Sequence, residues 1–289
     1  ADTVNASADV LVTAGNSIDI TAQVGDTSAV NVDLEAVSGS IETTELITAT
    51  GNFEADAGEH ISLDALTVTG TVEVGQDIEP TGAVTFADTV DAGGAITVDG
   101  GGDIVVNGDV DSDAAVDMDA GNWLDVNNTI GGTVITLNAD GDVDNTGGAI
   151  TADGTNVTIT GGNDVLIGAA VDAPNTITVT AGNELDIDAA IAANDGDDVF
   201  LTAETGSLTT TATVEADNEV TLAAGEDMTL GATVDADADD VNLMTQTGTI
   251  DANAAITAAV NVIANAGDDA EFSAAVEGTG GMVDIDAGG

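Results

Sequence analysis

Aliphatic residues alternate with Thr, Asp and Asn along the chain, as in Val241-Asn242-Leu243 and in Ile285 between Asp284 and Asp286. A period of two belongs to strands with one buried face, not to helices. Composition agrees: Gly, Thr, Val, Asp and Asn dominate, while the helix formers Lys and Arg are absent and Gln is rare. The alternating stretches repeat. Val10-Leu11-Val12-Thr13-Ala14-Gly15-Asn16-Ser17-Ile18-Asp19-Ile20 returns as Ile177-Thr178-Val179-Thr180-Ala181-Gly182-Asn183-Glu184-Leu185-Asp186-Ile187, with weaker copies over 116–126 and 220–230. Their shared grammar is a strand, a glycine corner and another strand.

The corner glycines are Gly15, Gly39, Gly58, Gly75, Gly101, Gly121, Gly141, Gly162, Gly182, Gly206, Gly225, Gly248, Gly267 and Gly288, and they set a mean period of about 21 residues. This predicts an all-β chain: a parallel β-helix (solenoid) of about 14 coils, each with two or three strands, forming one continuous domain over 1–289. Stacked at roughly 4.8 Å per coil, it would extend on the order of 65 Å. Tandem β-sandwich modules also show closely spaced strands, but this unit is too short to be one. The expected core is a narrow aliphatic column from Val12, Ile18 and Ile20 through Ile104, Leu137, Val179 and Leu222 to Ile285. Ala14, Ala120 and Ala181 suit tight corners. Trp123, Phe53, Phe86, Phe200 and Phe272 are too scattered for an aromatic carbohydrate platform and are expected to fill the core or cap it.

The Val-x-Val-Thr-Ala-Gly-Asn-x-Ile-Asp-Ile unit resembles the repeats of filamentous-haemagglutinin-like bacterial adhesins and other large surface proteins. The resemblance covers essentially the whole chain. It implies a long right-handed parallel β-helix on a secreted fibre. The chain departs from that family in lacking Lys and Arg and a recognisable amino-terminal secretion domain.

Charge narrows the function classes. The 289 residues include 54 Asp and Glu, one His and no Lys or Arg, for a formal net charge of −54. Side-chain ion pairs are excluded save through His60, which is mostly neutral at pH 7. Nucleic acid and anionic membranes lose their electrostatic hold, and cations from the medium become the expected partners. Apolar residues at 43% argue against a disordered acidic tail. Absence of Cys removes disulfides and thiolate chemistry, and no apolar run is long enough for a membrane span. The start at Ala1-Asp2-Thr3 suits a processed, exported protein or an excised segment.

Four acidic clusters could hold calcium, which takes six to eight oxygens in flexible geometry. They are Asp109, Asp111 and Asp113; Asp140, Asp142 and Asp144; Asp195, Asp197 and Asp198; and Asp235, Asp237 and Asp239. None has the glycine and closing Glu of an EF-hand loop. The alternative is solvated turns whose Asp and Asn satisfy local backbone donors. Gly161–Gly168 resembles one calcium-binding nonapeptide, but it does not recur every nine residues. His60, beside Glu59 and near Ser62, lacks a nucleophile elbow and reads as solvent-facing. Acidic-glycan lyases place Arg or Lys beside the substrate, and a neutral-glycan hydrolase needs one privileged carboxylate pair, which nothing here singles out. Thr-x-Thr at 67–69, 158–160, 178–180 and 211–213 reads as β-propensity, with the threonines out of constant register. Sequons begin at Asn5, Asn127 and Asn156.

The sequence therefore predicts a non-enzymatic extracellular or cell-surface structural protein, a β-helical rod whose terminal coils stack head to tail on further copies of itself. Divalent cations would stabilise the filament. The alternative is a repeat segment of a secreted adhesin that binds a neighbouring surface; a β-helix glycan hydrolase is the remaining class.

Overall fold

The computed structural model describes residues 7–25 and 30–288. Among them are 39 strands and no helix, and the strands pair in parallel within three sheets. Successive strands visit the three sheets in turn, and each pairs with its counterpart one coil on. The fold is thus a parallel β-solenoid of about 13 coils with a period near 21 residues. Fourteen glycine corners bound 13 coils, which is why counting corners gives one more. Each of those glycines lies within three residues of the end of a first-sheet strand.

The chain forms two compact units, residues 1–140 and 141–289. In the first, the first sheet runs Val10–Ala14, Val32–Ala36, Phe53–Ala57, Val72–Val74, Ile96–Gly100, Ala115–Ala120 and Val134–Ala139. In the second it runs Val157–Gly161, Ile177–Ala181, Val199–Ala203, Val220–Ala224, Val241–Thr245, Val262–Ala266 and Val283–Ala287.

Register explains the core. Val10, Val32 and Phe53 stack in one inward rank and Val12, Leu34 and Ala55 in the next, so the large Phe53 is offset by the small Ala55 beside it. Each buried aliphatic contributes about 1.5–3 kcal/mol. A third inward rank is small in nearly every coil: Ala36, Ala57, Gly100, Ala120 and Ala139 in the first unit, and Gly161, Ala181, Ala203, Ala224 and Ala266 in the second. There the chain turns towards its own interior; a Cβ on Gly161 would lie 2.7 Å from Val165 Cγ2. Corners crowd in the same way, since a Cβ on Gly121 would lie 2.6 Å from the Gly101 carbonyl oxygen one coil below.

Several expected core residues lie elsewhere. Val12 and Ile20 are half-buried, and Ile285 is 44% exposed, because they occupy the outermost described coils and are covered on one side only. Phe53 and Phe86 are core, but Trp123 is 55% exposed in a corner and Phe200 faces outward.

With no Lys or Arg available, amides take the role of donor. Immediately before the strands, an Asp or Asn oxygen accepts the backbone N–H of its counterpart one coil on, and often the side-chain amide of that residue or of the one before it. Asp142 Oδ1 accepts Asn163 Nδ2 (2.7 Å) and the Asp164 N–H (3.1 Å), and Asp164 Oδ1 accepts Asn183 Nδ2 (2.8 Å) and the Glu184 N–H (3.0 Å). In the first unit Asn31 Oδ1 accepts the Asn52 N–H (2.9 Å) and Asn52 Oδ1 the Thr71 N–H (3.2 Å). Charge-assisted bonds of this kind are stronger than neutral ones.

Candidate metal centre

Parallel register places residues one period apart side by side at about 4.8 Å, so like charges stack wherever acids recur at one rank. On the outward face of the first unit's first sheet, Asp33 lies beside Glu54, Glu54 beside Glu73, Glu35 beside Asp56, and Asp99 beside Asp119. Like charges opposite one another are destabilising.

At one point this ladder becomes a cluster. Between Val72–Val74 and Val84–Phe86 the corner widens into a loop over 75–83. The loop begins at Gly75, whose φ of +73° suits glycine, and a Cβ there would meet the Asp99 carbonyl oxygen. It folds over Asp56, which is only 3% exposed and whose Oδ1 accepts the N–H groups of Asp77 (3.0 Å) and Ile78 (3.2 Å). These bonds bring Asp77 to Glu54 and Asp56, and one carboxylate oxygen of each lies within 4.8 Å of the others. Three converging carboxylates can hold a metal ion, and their hard oxygens suit a cation such as Ca²⁺ or Mg²⁺ that completes its shell with water.

The electrostatics match. Burial, then Asp56, Asp33, Asp77 and Glu73, push the Glu54 carboxyl above its ordinary value. Burial, then Asp56, Glu35 and Asp77, do the same to Asp33. A cation here would relieve both.

The twelve acids singled out from the sequence lie elsewhere. Asp111 points outward from Val110–Ser112, with Asp109 and Asp113 in the flanking loops; Asp109 Oδ1 accepts the Thr129 hydroxyl (2.6 Å). Asp140 ends the first unit's last corner, Asp142 belongs to the amide ladder, and Asp144 Oδ1 accepts the Thr146 N–H (2.8 Å). Asp195, Asp197 and Asp198 surround Gly196, whose φ is +94°; Asp198 Oδ1 accepts Asn218 Nδ2 (2.7 Å) and the Glu219 N–H (3.1 Å). Asp235 faces outward from Val234–Ala236 with Asp237 and Asp239 in the following turn, and burial, then Asp237, raises its pKa. None of the twelve belongs to the three-carboxylate group found among the described residues.

Glu54, Asp56 and Asp77 escaped the sequence reading because they are not contiguous. The available signal was an acid pair at alternate positions, one period before an acid in the longest coil, Gly75 to Gly101. Ser40 was also missed: its hydroxyl lies 2.9 Å from His60 Nδ1 and 3.3 Å from Glu59 Oε2. The acid therefore contacts the serine, whereas a catalytic triad would place it on the imidazole. His60 is exposed, as expected. Two of the four Thr-x-Thr stretches share a register, Thr158 pairing with Thr178 and Thr160 with Thr180; Thr67 lies on Leu66–Val68 in another sheet and 211–213 lies in a turn. The sequon at Asn5 lies outside the described residues. No helix among the described residues is long and apolar enough to cross a membrane. Comparison with protein-family models, curated proteins and solved structures finds no match for this chain; its fold is that of a β-solenoid repeat protein.

Proposed function

We propose that this chain is a non-enzymatic extracellular structural protein, a β-helical subunit that stacks head to tail into a cation-stabilised surface or matrix filament. The observation that carries the reading is the constancy of the inward ranks from coil to coil, continued where Val262 and Ala264 pair with Val283 and Ile285 of the strand Val283–Ala287. The first described strand offers the matching pattern, Val10-x-Val12-x-Ala14 against Val283-x-Ile285-x-Ala287. A second copy laid on this edge would continue both the hydrogen-bond ladder and the aliphatic column, and such a heterologous contact propagates. Calcium at Glu54, Asp56 and Asp77 would lower the repulsion within each subunit.

Sedimentation and electron microscopy test this, with millimolar calcium and with chelator at low salt. Expected are concentration-dependent polymers that shorten in chelator and are lost in Ile285→Asp. Monomers under every condition would overturn stacking; polymers indifferent to chelator would overturn the calcium role. A second reading, a repeat segment of a secreted adhesin that binds a neighbouring surface, is favoured by an uncharged face of the second unit.

A further inference from the structure

That face is the outward side of the second unit's first sheet. Across the six strands from Val157–Gly161 to Val262–Ala266, the outward positions are Thr158 and Thr160, Thr178 and Thr180, Phe200 and Thr202, Thr221 and Ala223, Asn242 and Met244, and Ile263 and Asn265. None is a carboxylate, in a chain with 54 of them. Acids stand at its margins: Asp284 and Asp286 of the seventh strand lie beside Ile263 and Asn265, and Glu219, just before Val220–Ala224, accepts the Thr221 hydroxyl and Asn242 Nδ2, each at 2.7 Å. The hydroxyls of Thr158, Thr160, Thr178, Thr180 and Thr202 make no hydrogen bond within the protein among the described residues. They form two rows in register, at about 4.8 Å along the coil axis and about 6.6 Å across it.

We infer that this face docks an extended neutral polysaccharide. The inference rests on the adhesin reading and is independent of filament assembly. Charge selects the partner: an anionic glycan is repelled by a molecule of net charge −54, and a cationic one would prefer the carboxylates elsewhere. Hydroxyls and the Asn242 and Asn265 amides offer both donors and acceptors to sugar hydroxyls, while Phe200, among the threonines, offers an apolar surface to the C–H face of a sugar ring. The two rows in register suit a linear chain lying along them. A second copy fits less well, since the face covers on the order of 450 Å² by strand spacing, against about 800 Å² per partner in a stable interface, and would bring two polyanions together.

Affinity electrophoresis tests it, in native gels cast with hydroxyethyl cellulose, with glucomannan or with polygalacturonate. The protein is expected to be retarded by a neutral glycan and not by polygalacturonate. Thr178→Asp combined with Thr202→Asp should weaken retardation about tenfold or more, Phe200→Ala should weaken it, and Thr97→Asp on the first unit should leave it unchanged. Each variant points outward, and circular dichroism melting confirms its fold; Thr178→Val, which adds no charge, gives a second reading of the lost hydroxyl. Passage through both neutral gels without retardation overturns the inference, as does retardation that survives the double Asp variant. Ice-growth inhibition or a sedimenting dimer lost in the same variants, with no glycan retardation, would assign the face to ice or to a second copy and overturn it too. A polymer that is not retarded fails this inference alone; a retarded monomer fails stacking alone.

Discussion

The same sheet carries opposite chemistry in the two units. In residues 1–140 its outward ranks hold Asp33, Glu35, Glu54, Asp56, Glu73, Asp99, Asp117 and Asp119 among uncharged residues such as Leu11, Thr97 and Asn138; in residues 157–266 they hold Thr, Asn, Ala and single Phe, Met and Ile residues, with acids again at Asp284 and Asp286 on the following strand. The inward ranks are alike, both Val, Ile and Leu with a small residue at the turn. A solenoid coil is therefore specified by its inward positions and corners, which leaves the outward ranks free to be acid-rich over one stretch and free of carboxylates over another.

If the difference is electrostatic, salt should reveal it most strongly. Cross-strand like-charge pairs cost about 0.2–1 kcal/mol each, so the pairs around Glu54 and Asp119 together should lower the first unit's stability by about 1–4 kcal/mol at low ionic strength. Hydrogen exchange should then quicken in 53–57 and 115–120 on removing salt, and much less in 177–181 and 199–203. Equal quickening in both units would break the comparison.

Asp56→Ala should come next in size. It strips the loop over 75–83 of the acceptor for two N–H groups and the cluster of a ligand, at a cost of about 1–3 kcal/mol. Asp56→Asn retains an acceptor, so it should keep most of the stability while losing any calcium-induced rise in Tm. Loss of that rise in Asp56→Ala but not in Asp56→Asn would separate loop packing from ion binding.

Acid gives a sharper test of sign. Burial, and behind it neighbouring carboxylates, raise Asp33, Glu54, Asp117 and Asp119 on the first unit's sheet, with Asp99 and Asp140 among the neighbours of Asp119. The folded state then binds more protons than the unfolded one, so stability falls as pH rises through the raised values and is regained below the ordinary carboxylate range near about 4. Tm should rise as the pH is lowered from 7 towards that range; a steady fall would overturn it. In the second unit Asp186 and Asp235, on other sheets, are raised, again chiefly by burial.

The smallest expected effect lies in the second unit's core. Thr210 is fully buried and its Oγ1 has no partner. Thr210→Val should stabilise by about 1 kcal/mol, read as a higher denaturation midpoint. A loss of stability would mean that the hydroxyl is satisfied by a bound water.

Much of the fold was legible because it repeats locally. Strand periodicity, the small residue and the glycine recur in one stretch of chain, and Gly75, the least regular marker, still falls at its corner. The site was less legible. Asp109, Asp111 and Asp113 stand out because they are neighbours in sequence, yet Asp111 lies on Val110–Ser112 and the other two in the loops that flank it. Glu54 and Asp77 meet because a widened corner folds back over Asp56.

The sequence by itself determined a parallel solenoid with aliphatic ranks, glycine corners and a charge that demands cations, since each follows from residues a few positions apart. Only the tertiary structure decided which acids converge, which threonines align and which apolar residues lie bare, because those depend on lateral register between coils. Register sums every insertion in the corners, and one widened loop is enough to move a carboxylate into a cluster.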